Sequence, residues 1–309
     1  MMLARVADSL YWVGRYVERA EHYARVLAVM LNATVDRSEA ANQSAKIAHA
    51  AVGVPPGPMS PLELALSVTL DREMSGSVVS SLAAARENAR QVRDHITSEC
   101  WQRLNLLYLR VTGDRACELF ADDPPTFLSD VVADLHLFGG ATHATMSHGE
   151  GWRFMQAGVH LERAQLLARL LKACFGSTET PDDPLSLISL LRMACAVEPY
   201  LRVYTADLNA RLILEFLMFN EDFPRSIRYA TTHIEHHVAH LARAREPGRG
   251  DPLRLAGGLN ARLVYADVDG VASGGAGDLL GEVERECREI HQAIHDTFVA
   301  YPLETRLPA

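Results

Sequence analysis

The amino-acid sequence predicts an all-α fold, a multi-helix bundle organised by two related long helices. Three observations carry this prediction. Apolar residues recur at alternating intervals of three and four through most of the 309 residues. No segment alternates apolar and polar residues as a half-buried strand would. One long pattern occurs twice: Gly14-x-x-Val17-Glu18-Arg19-Ala20-x-x-x-Ala24-Arg25-Val26-Leu27 returns as Gly158-x-x-Leu161-Glu162-Arg163-Ala164-x-x-x-Ala168-Arg169-Leu170-Leu171.

Two distant copies do not make a short-period solenoid; they suggest equivalent helices that face each other, with pseudo-twofold symmetry. In the first copy the stripe runs Leu3, Val6, Leu10, Val13, Val17, Ala20, Ala24, Leu27 and Leu31. In the second it runs Phe154, Ala157, Leu161, Ala164, Ala168 and Leu171. Small residues in both stripes permit close approach. Glu18 and Glu162 sit one residue off the stripe, about 100° around the helix, so they flank the packed seam. Arg25 and Arg169 follow two turns later, about 10.5 Å along the same face.

In chain order, a helix over 3–31 is followed by a more polar helical segment over 36–51. Gly53-Val54-Pro55-Pro56-Gly57-Pro58 stops it, because proline cannot continue a helix and glycine frees the backbone. Ser60-Pro61 is a cap with proline in the first turn of a short helix over 62–71. A long helix is expected over 75–96, with Arg86, Arg90 and Arg93 on its polar side, and another from Ser98 to about 111. Asp122-Asp123-Pro124-Pro125-Thr126 is expected as a surface connection, and 127–147 as a helix weakened by Gly139-Gly140. The second Glu-Arg helix ends near Gly176. Beyond it come a loop over 177–184, a helix over 185–197, a break at Pro199 and a helix over 206–219. A turn over 220–226 leads into a helix through 242, and 246–252 interrupts again. A helix over 253–268, a mobile glycine-rich segment over 270–281 and a helix over 282–300 complete the chain.

At 48% hydrophobic, the chain has enough apolar residues for a large core, read as one helical domain over 1–309 with two loosely related halves, about 1–120 and 127–305. A net charge of −9 argues against general nucleic-acid binding. Lys46 and Lys172 are the only lysines, and no G-x-x-x-x-G-K-S/T occurs, so there is no P-loop. The five cysteines are scattered and lack any C-x-x-C, which suits a reducing compartment better than a disulfide framework or a cysteine zinc site. The N-terminus carries no apolar signal-peptide core, and no uncharged run reaches transmembrane length. A soluble, cytoplasmic protein without a membrane partner is the expectation.

The paired motif is the strongest chemical signal. Meeting around an axis, Glu18, Arg19, Glu162 and Arg163 suit a self-satisfied ion-pair network, or a site where Arg holds an anion and Glu moves protons. Arg86, Arg90 and Arg93 are read as a solvated face with local pairs such as Glu87–Arg90. The Asn220–Ser226 segment leads into a helix N-terminus, which attracts anions, but Asp222 is expected to cap and neutralise that end. His233, His236, His237 and His240 share one helix face and are read as an exposed polar face, not a metal site. No histidine has Glu three residues before it, so the di-iron pattern is absent, and no G-x-S-x-G elbow occurs. No metal and no cofactor is expected.

These residues, taken together over nearly the whole chain, resemble the alpha-E domain family of bacterial helical proteins. The likeness is carried by Leu3 to Trp12 and Arg15-Tyr16-Val17-Glu18-Arg19-Ala20-Glu21. It continues through Ala85-Arg86-Glu87-Asn88-Ala89-Arg90, Ser98-Glu99-Cys100-Trp101 and Leu104-Asn105. Gly151-Trp152-Arg153-Phe154, Leu161-Glu162-Arg163-Ala164 and Phe219-Asn220 through Pro224-Arg225-Ser226 complete it. Family members look like companions of ATP-grasp peptide ligases, with transglutaminase-like proteases as frequent neighbours. The resemblance implies a role in making or modifying a small peptide. It places the family motif on Glu18, Arg19, Glu162, Arg163, Arg86, Glu87, Asn88, Arg90, Asn220, Arg225 and Ser226. These motifs are expected to converge on one cavity suited to a peptide carboxylate or an acyl phosphate.

Three functions remain open on this evidence. The chain is an accessory or interaction protein that binds an ATP-grasp ligase or its peptide. Alternatively it is an enzyme acting on the ligase product, with Glu18 or Glu162 as acid or base and Arg19, Arg163 or Arg225 holding the anion. Or it is a structural bundle whose Glu-Arg pairs only fix helix packing.

Overall fold

The computed structural model describes residues 2–34, 39–55, 57–176, 182–205, 207–242, 251–267, 270–271 and 275–300. The described residues form fourteen α-helices and no strand. The two Glu-Arg helices, α1 (Ala4–Ala33) and α8 (Glu150–Phe175), pack directly on each other at the centre. Around α1 lie α4 (Val78–Gln91) and α7 (Pro124–Thr145); around α8 lie α12 (Ile227–Ala242) and α14 (Ala276–Phe298). Leu10, Ala20, Ala24 and Leu27 of the first stripe and Leu161, Ala164, Ala168 and Leu171 of the second are fully buried.

The remaining helices close the bundle. They are α2 (Glu39–Ala51), α3 (Pro61–Leu70), α5 (Ser98–Thr112), α6 (Ala116–Asp122), α9 (Pro184–Met193), α10 (Val197–Tyr204), α11 (Ala210–Phe219) and α13 (Pro252–Val264). Ser60 and Glu63 form a reciprocal capping box at the start of α3.

Several boundaries depart from the sequence expectation, each for a local reason. The helix expected over 75–96 is shorter, because Ser77 caps it by accepting the Ser80 N–H and the backbone leaves helical geometry at Val92. The expected surface connection at Asp122–Thr126 is largely helix: Asp123 caps α7 by accepting from Thr126 N, and Pro124 and Pro125 fill the first turn, where no N–H is needed. Gly139 and Gly140 do not interrupt α7. The break expected at Pro199 falls earlier, at Cys195, whose φ of 56° ends α9; Pro199 lies in the first turn of α10. α9 and α10 meet at 120°. The glycine-rich segment is helical from Ala276. Residues 35–38, 177–181, 243–250, 268–269 and 272–274 lie outside the described residues, and with them parts of the expected loops over 177–184 and 246–252 and of the glycine-rich segment.

Candidate functional site

Two glycines set the geometry of the central pair. A Cβ on Gly14 would stand 2.0 Å from the Met155 carbonyl oxygen, and one on Gly158 2.2 Å from that of Tyr11. The helices therefore touch backbone to backbone, as only glycine allows. Tyr11 and Gly14 meet Gly158 and Met155, and further along both helices Glu18 and Arg19 meet Arg163 and Glu162. Thus α1 and α8 run in the same direction, related by an approximate twofold axis that maps Gly14 onto Gly158.

The motif residues exchange partners across this axis. Arg19 Nε donates to Glu162 Oε1 at 2.6 Å. Reciprocally, Arg163 donates through Nε and Nη2 to the two oxygens of Glu18, both at 2.7 Å. Each carboxylate then gains a second guanidinium from a different source. Glu162 takes Arg15, whose Nε donates to Oε2 at 2.5 Å while its Nη2 donates to Gln165 at 3.0 Å. Glu18 has Arg225 Nη1 at 3.7 Å from Oε1. Arg225 also lies against Glu21, with Nη2 2.8 Å from Oε2. Arg25 completes that side by donating to Glu21.

These carboxylates are buried, and the electrostatics decide their state. Burial raises the Glu162 carboxyl, but Arg15 and Arg19 outweigh it and hold the group below the usual range. Burial also opposes ionisation of Glu21; Arg225, the His136 hydrogen bond and Arg25 together hold it well below. The same attraction from Glu21 and Glu18 overcomes burial at Arg225 and raises its pKa. All three are fixed in their charged forms.

Two cavities flank the helix pair. The first, about 270 Å³, is lined by Glu18, Glu21, Arg163, Arg225, His136 and His143 with an apolar wall that includes Phe138 and Met155. The second, about 220 Å³, is lined by Arg15, Arg19, Arg169, Glu162, Gln165 and Tyr23, with Ser75 and Gly76 at its edge.

Of the sequence-derived site residues, the structure gathers Glu18, Arg19, Glu162, Arg163 and Arg225 at this centre. Asn220 and Ser226 act one step removed. The Asn220 side chain accepts from the backbone N–H groups of Asp222 and Phe223, and Ser226 donates to the Asn220 carbonyl and caps α12 through the Tyr229 N–H. Together they hold the turn that presents Arg225, and Arg163 Nη1 donates to the Pro224 carbonyl within it. Ser226, not Asp222, is the cap.

The α4 motif does not join either cavity. Arg86 donates to Asn105 at 2.8 Å and stacks over Tyr108 and Trp101. Glu87 and Arg90 pair on the exposed surface, and Asn88 donates to the Ala84 carbonyl. The expected convergence of all motifs on one cavity is therefore replaced by two cavities and a separate α4–α5 patch.

The histidine face also differs from expectation. His237 is buried against His160 and Trp152, and His233 stacks on Tyr229. Burial lowers the His160 and His237 pKa values, the latter to about 3. Among the described residues, no three His, Cys, Asp or Glu side chains are placed to share a metal ion.

Sequence reasoning did not select Arg15, Glu21, Gln165, Tyr23, His136 or His143. Arg15 and Glu21 carried a usable signal: Arg15 lies one turn before Arg19, and Glu21 one turn before Arg25. His136 and His143 stand on α7, and nothing local connects them to Glu21.

The fold and its centre define a class: an all-helical bundle built on a parallel pair of helices, each bearing Glu-Arg. Residues 2–299 match the Alpha-E family, described as a predicted alpha-helical domain with a conserved ER motif, and the chain belongs to that family. Uncharacterised proteins of Mycobacterium bovis and Mycobacterium tuberculosis are 25% identical to it over 94% of this chain and 36% of their own length. The chain thus spans about a third of the curated relatives it matches. No solved structure matches it. No single described helix is long and apolar enough to cross a membrane.

Proposed function

We propose that this chain is a cytoplasmic accessory protein of an ATP-grasp ligase, in a pathway that makes or modifies a small peptide. It holds the peptide or the ligase and leaves the chemistry to its partner; a transglutaminase-like protease is a second proposed partner. The observation that carries this reading is the commitment of both motif carboxylates. The oxygens of Glu18 and Glu162 already accept guanidinium N–H groups. A general base needs a pKa near working pH, and Arg15 and Arg19 hold Glu162 below the usual carboxylate range. The Glu-Arg lattice fixes the helix pair, and the arginine-lined cavities beside it suit recognition of charged groups. Three of the five cysteines are buried and all are free, which accords with a reducing compartment.

The test mixes the purified chain with the ATP-grasp ligase encoded beside it, ATP and the peptide, with association read by analytical gel filtration and products by mass spectrometry. The expected result is a complex, with identical product masses from wild type and a folded Glu162→Gln variant. No association under any of these conditions overturns the accessory reading. A mass change made by the wild type alone overturns it in favour of an enzyme.

A further inference from the structure

The two cavities differ in charge. Glu18 and Glu21 against Arg163 and Arg225 leave the first one balanced. The second has three guanidiniums, Arg15, Arg19 and Arg169, and one carboxylate, Glu162, a surplus of two positive charges. Arg15 is buried and Arg19 and Arg169 are only partly exposed, so an anion placed among them is weakly screened by water.

The guanidiniums of this cavity are held in place by part of their donors, which leaves others to face a ligand. Arg15 and Arg19 each reach Glu162 through Nε. The Arg15 Nη2 donates to Gln165, and Arg19 Nη1 lies beside Gly76, about where a Cβ there would make ordinary contact. Arg169 hydrogen-bonds Tyr23 and otherwise reaches Glu284 at 3.6 Å, a carboxylate that Lys172 holds at 3.3 Å. Both loops near these arginines turn at glycines in left-handed geometry. Gly76 has φ 84° and Gly53 φ 75°, and a Cβ on Gly53 would press to 3.1 Å from Arg169 Nη1. Backbone comes close to the arginines and space is kept in front of them.

We infer that the Arg15–Arg19–Arg169 cavity is a binding site for a dianionic phosphoryl group. Two negative charges match the surplus of two; a lone carboxylate would leave one unmatched. Planar guanidiniums bind phosphoryl oxygens as forks, and about 220 Å³ admits a compact group with a short stem. The inference rests on the binding reading of these cavities, not on the identity of the ligase.

Isothermal titration with phosphoserine, inorganic phosphate and acetate at pH 8 and low salt tests it on the chain alone. Phosphoserine and phosphate are expected to bind, and acetate at least tenfold more weakly. Arg169→Ala is expected to weaken phosphoserine about tenfold or more, the loss of a charged hydrogen-bond donor, with an unchanged far-UV spectrum. Arg19→Lys, which keeps the charge and loses the fork, is expected to weaken it less. The exposed Arg103→Ala is expected to leave affinity unchanged. No phosphoserine binding, equal affinity for acetate, or an unaffected Arg169→Ala overturns the inference. Phosphoserine binding without ligase association would sink the accessory reading alone; ligase association without phosphoserine binding would sink this inference alone.

Discussion

Glu18 and Glu162 occupy equivalent positions on paired helices, yet their surroundings are not equivalent. Two differences between the copies account for this. Arg15 has Val159 as its counterpart, and Glu21 has Gln165. On the Glu162 side, Arg15 supplies the second guanidinium from the same helix pair, and neutral Gln165 adds no charge. On the Glu18 side Val159 supplies none, so Arg225 comes from the turn before α12 and Glu21 balances it. Arg25 and Arg169 diverge for the same reason: Arg25 binds Glu21, while Arg169, with neutral Gln165 one turn before it, lines the cavity. One duplicated helix thus yields a self-contained cationic pocket and a neutral pocket that depends on a distant turn.

The asymmetry between the two sides rests most on the carboxylates. Glu162→Gln is expected to cost about 3–5 kcal/mol, because buried Arg15 and partly buried Arg19 are left without their counter-charge. Glu18→Gln is expected to cost less, about 2–3 kcal/mol, because Arg163 keeps the Pro224 carbonyl and Arg225 keeps Glu21. Denaturant unfolding checks both, and an equal or reversed order would refute the asymmetry.

Gly158→Ala and Gly14→Ala test the shared element. Each places a methyl against a carbonyl oxygen of the other helix, so each is expected to cost about 3 kcal/mol. Nearly equal losses are expected, since the crossing is symmetric; a tolerated alanine at either position would refute the close contact.

Acidification acts on buried histidines before it reaches the carboxylates. His160 and His237, between α8 and α12, have pKa values depressed by burial. Groups held neutral in the folded state bind more protons when unfolded. Stability is therefore expected to be full above about pH 6.5 and to fall below it, by at most about 1.4 kcal/mol per pH unit for each histidine. Glu162 and Glu21, depressed carboxylates, add their loss only below about pH 4.5. Thermal melts between pH 7 and 5 of wild type and His237→Phe separate the two, and an identical pH dependence in that variant would count against the histidine contribution.

The smallest effect belongs to the surface motif. Arg90→Ala removes an exposed pair with Glu87 and is expected to leave the melting temperature unchanged. A clear drop would show that the α4 patch contributes more than a solvated face.

The sequence by itself determined the helical class, the two central helices and the location of the Glu-Arg residues upon them. Those follow from local periodicity and from repetition, both of which depend only on neighbours along the chain. It also marked Arg225 within a distinctive turn. Helix ends were less legible, because Asp123, Ser77 and Cys195 act through single capping or backbone conformations that compete with the apolar pattern. Partner choice was decided only in the tertiary structure. That Arg19 binds Glu162, that Arg225 stands in for an arginine missing at Val159, and that α4 stays outside the centre depend on how closely Gly14 and Gly158 let two backbones approach. Ion pairing weakens with distance and strengthens with burial, and neither quantity is written in the order of residues.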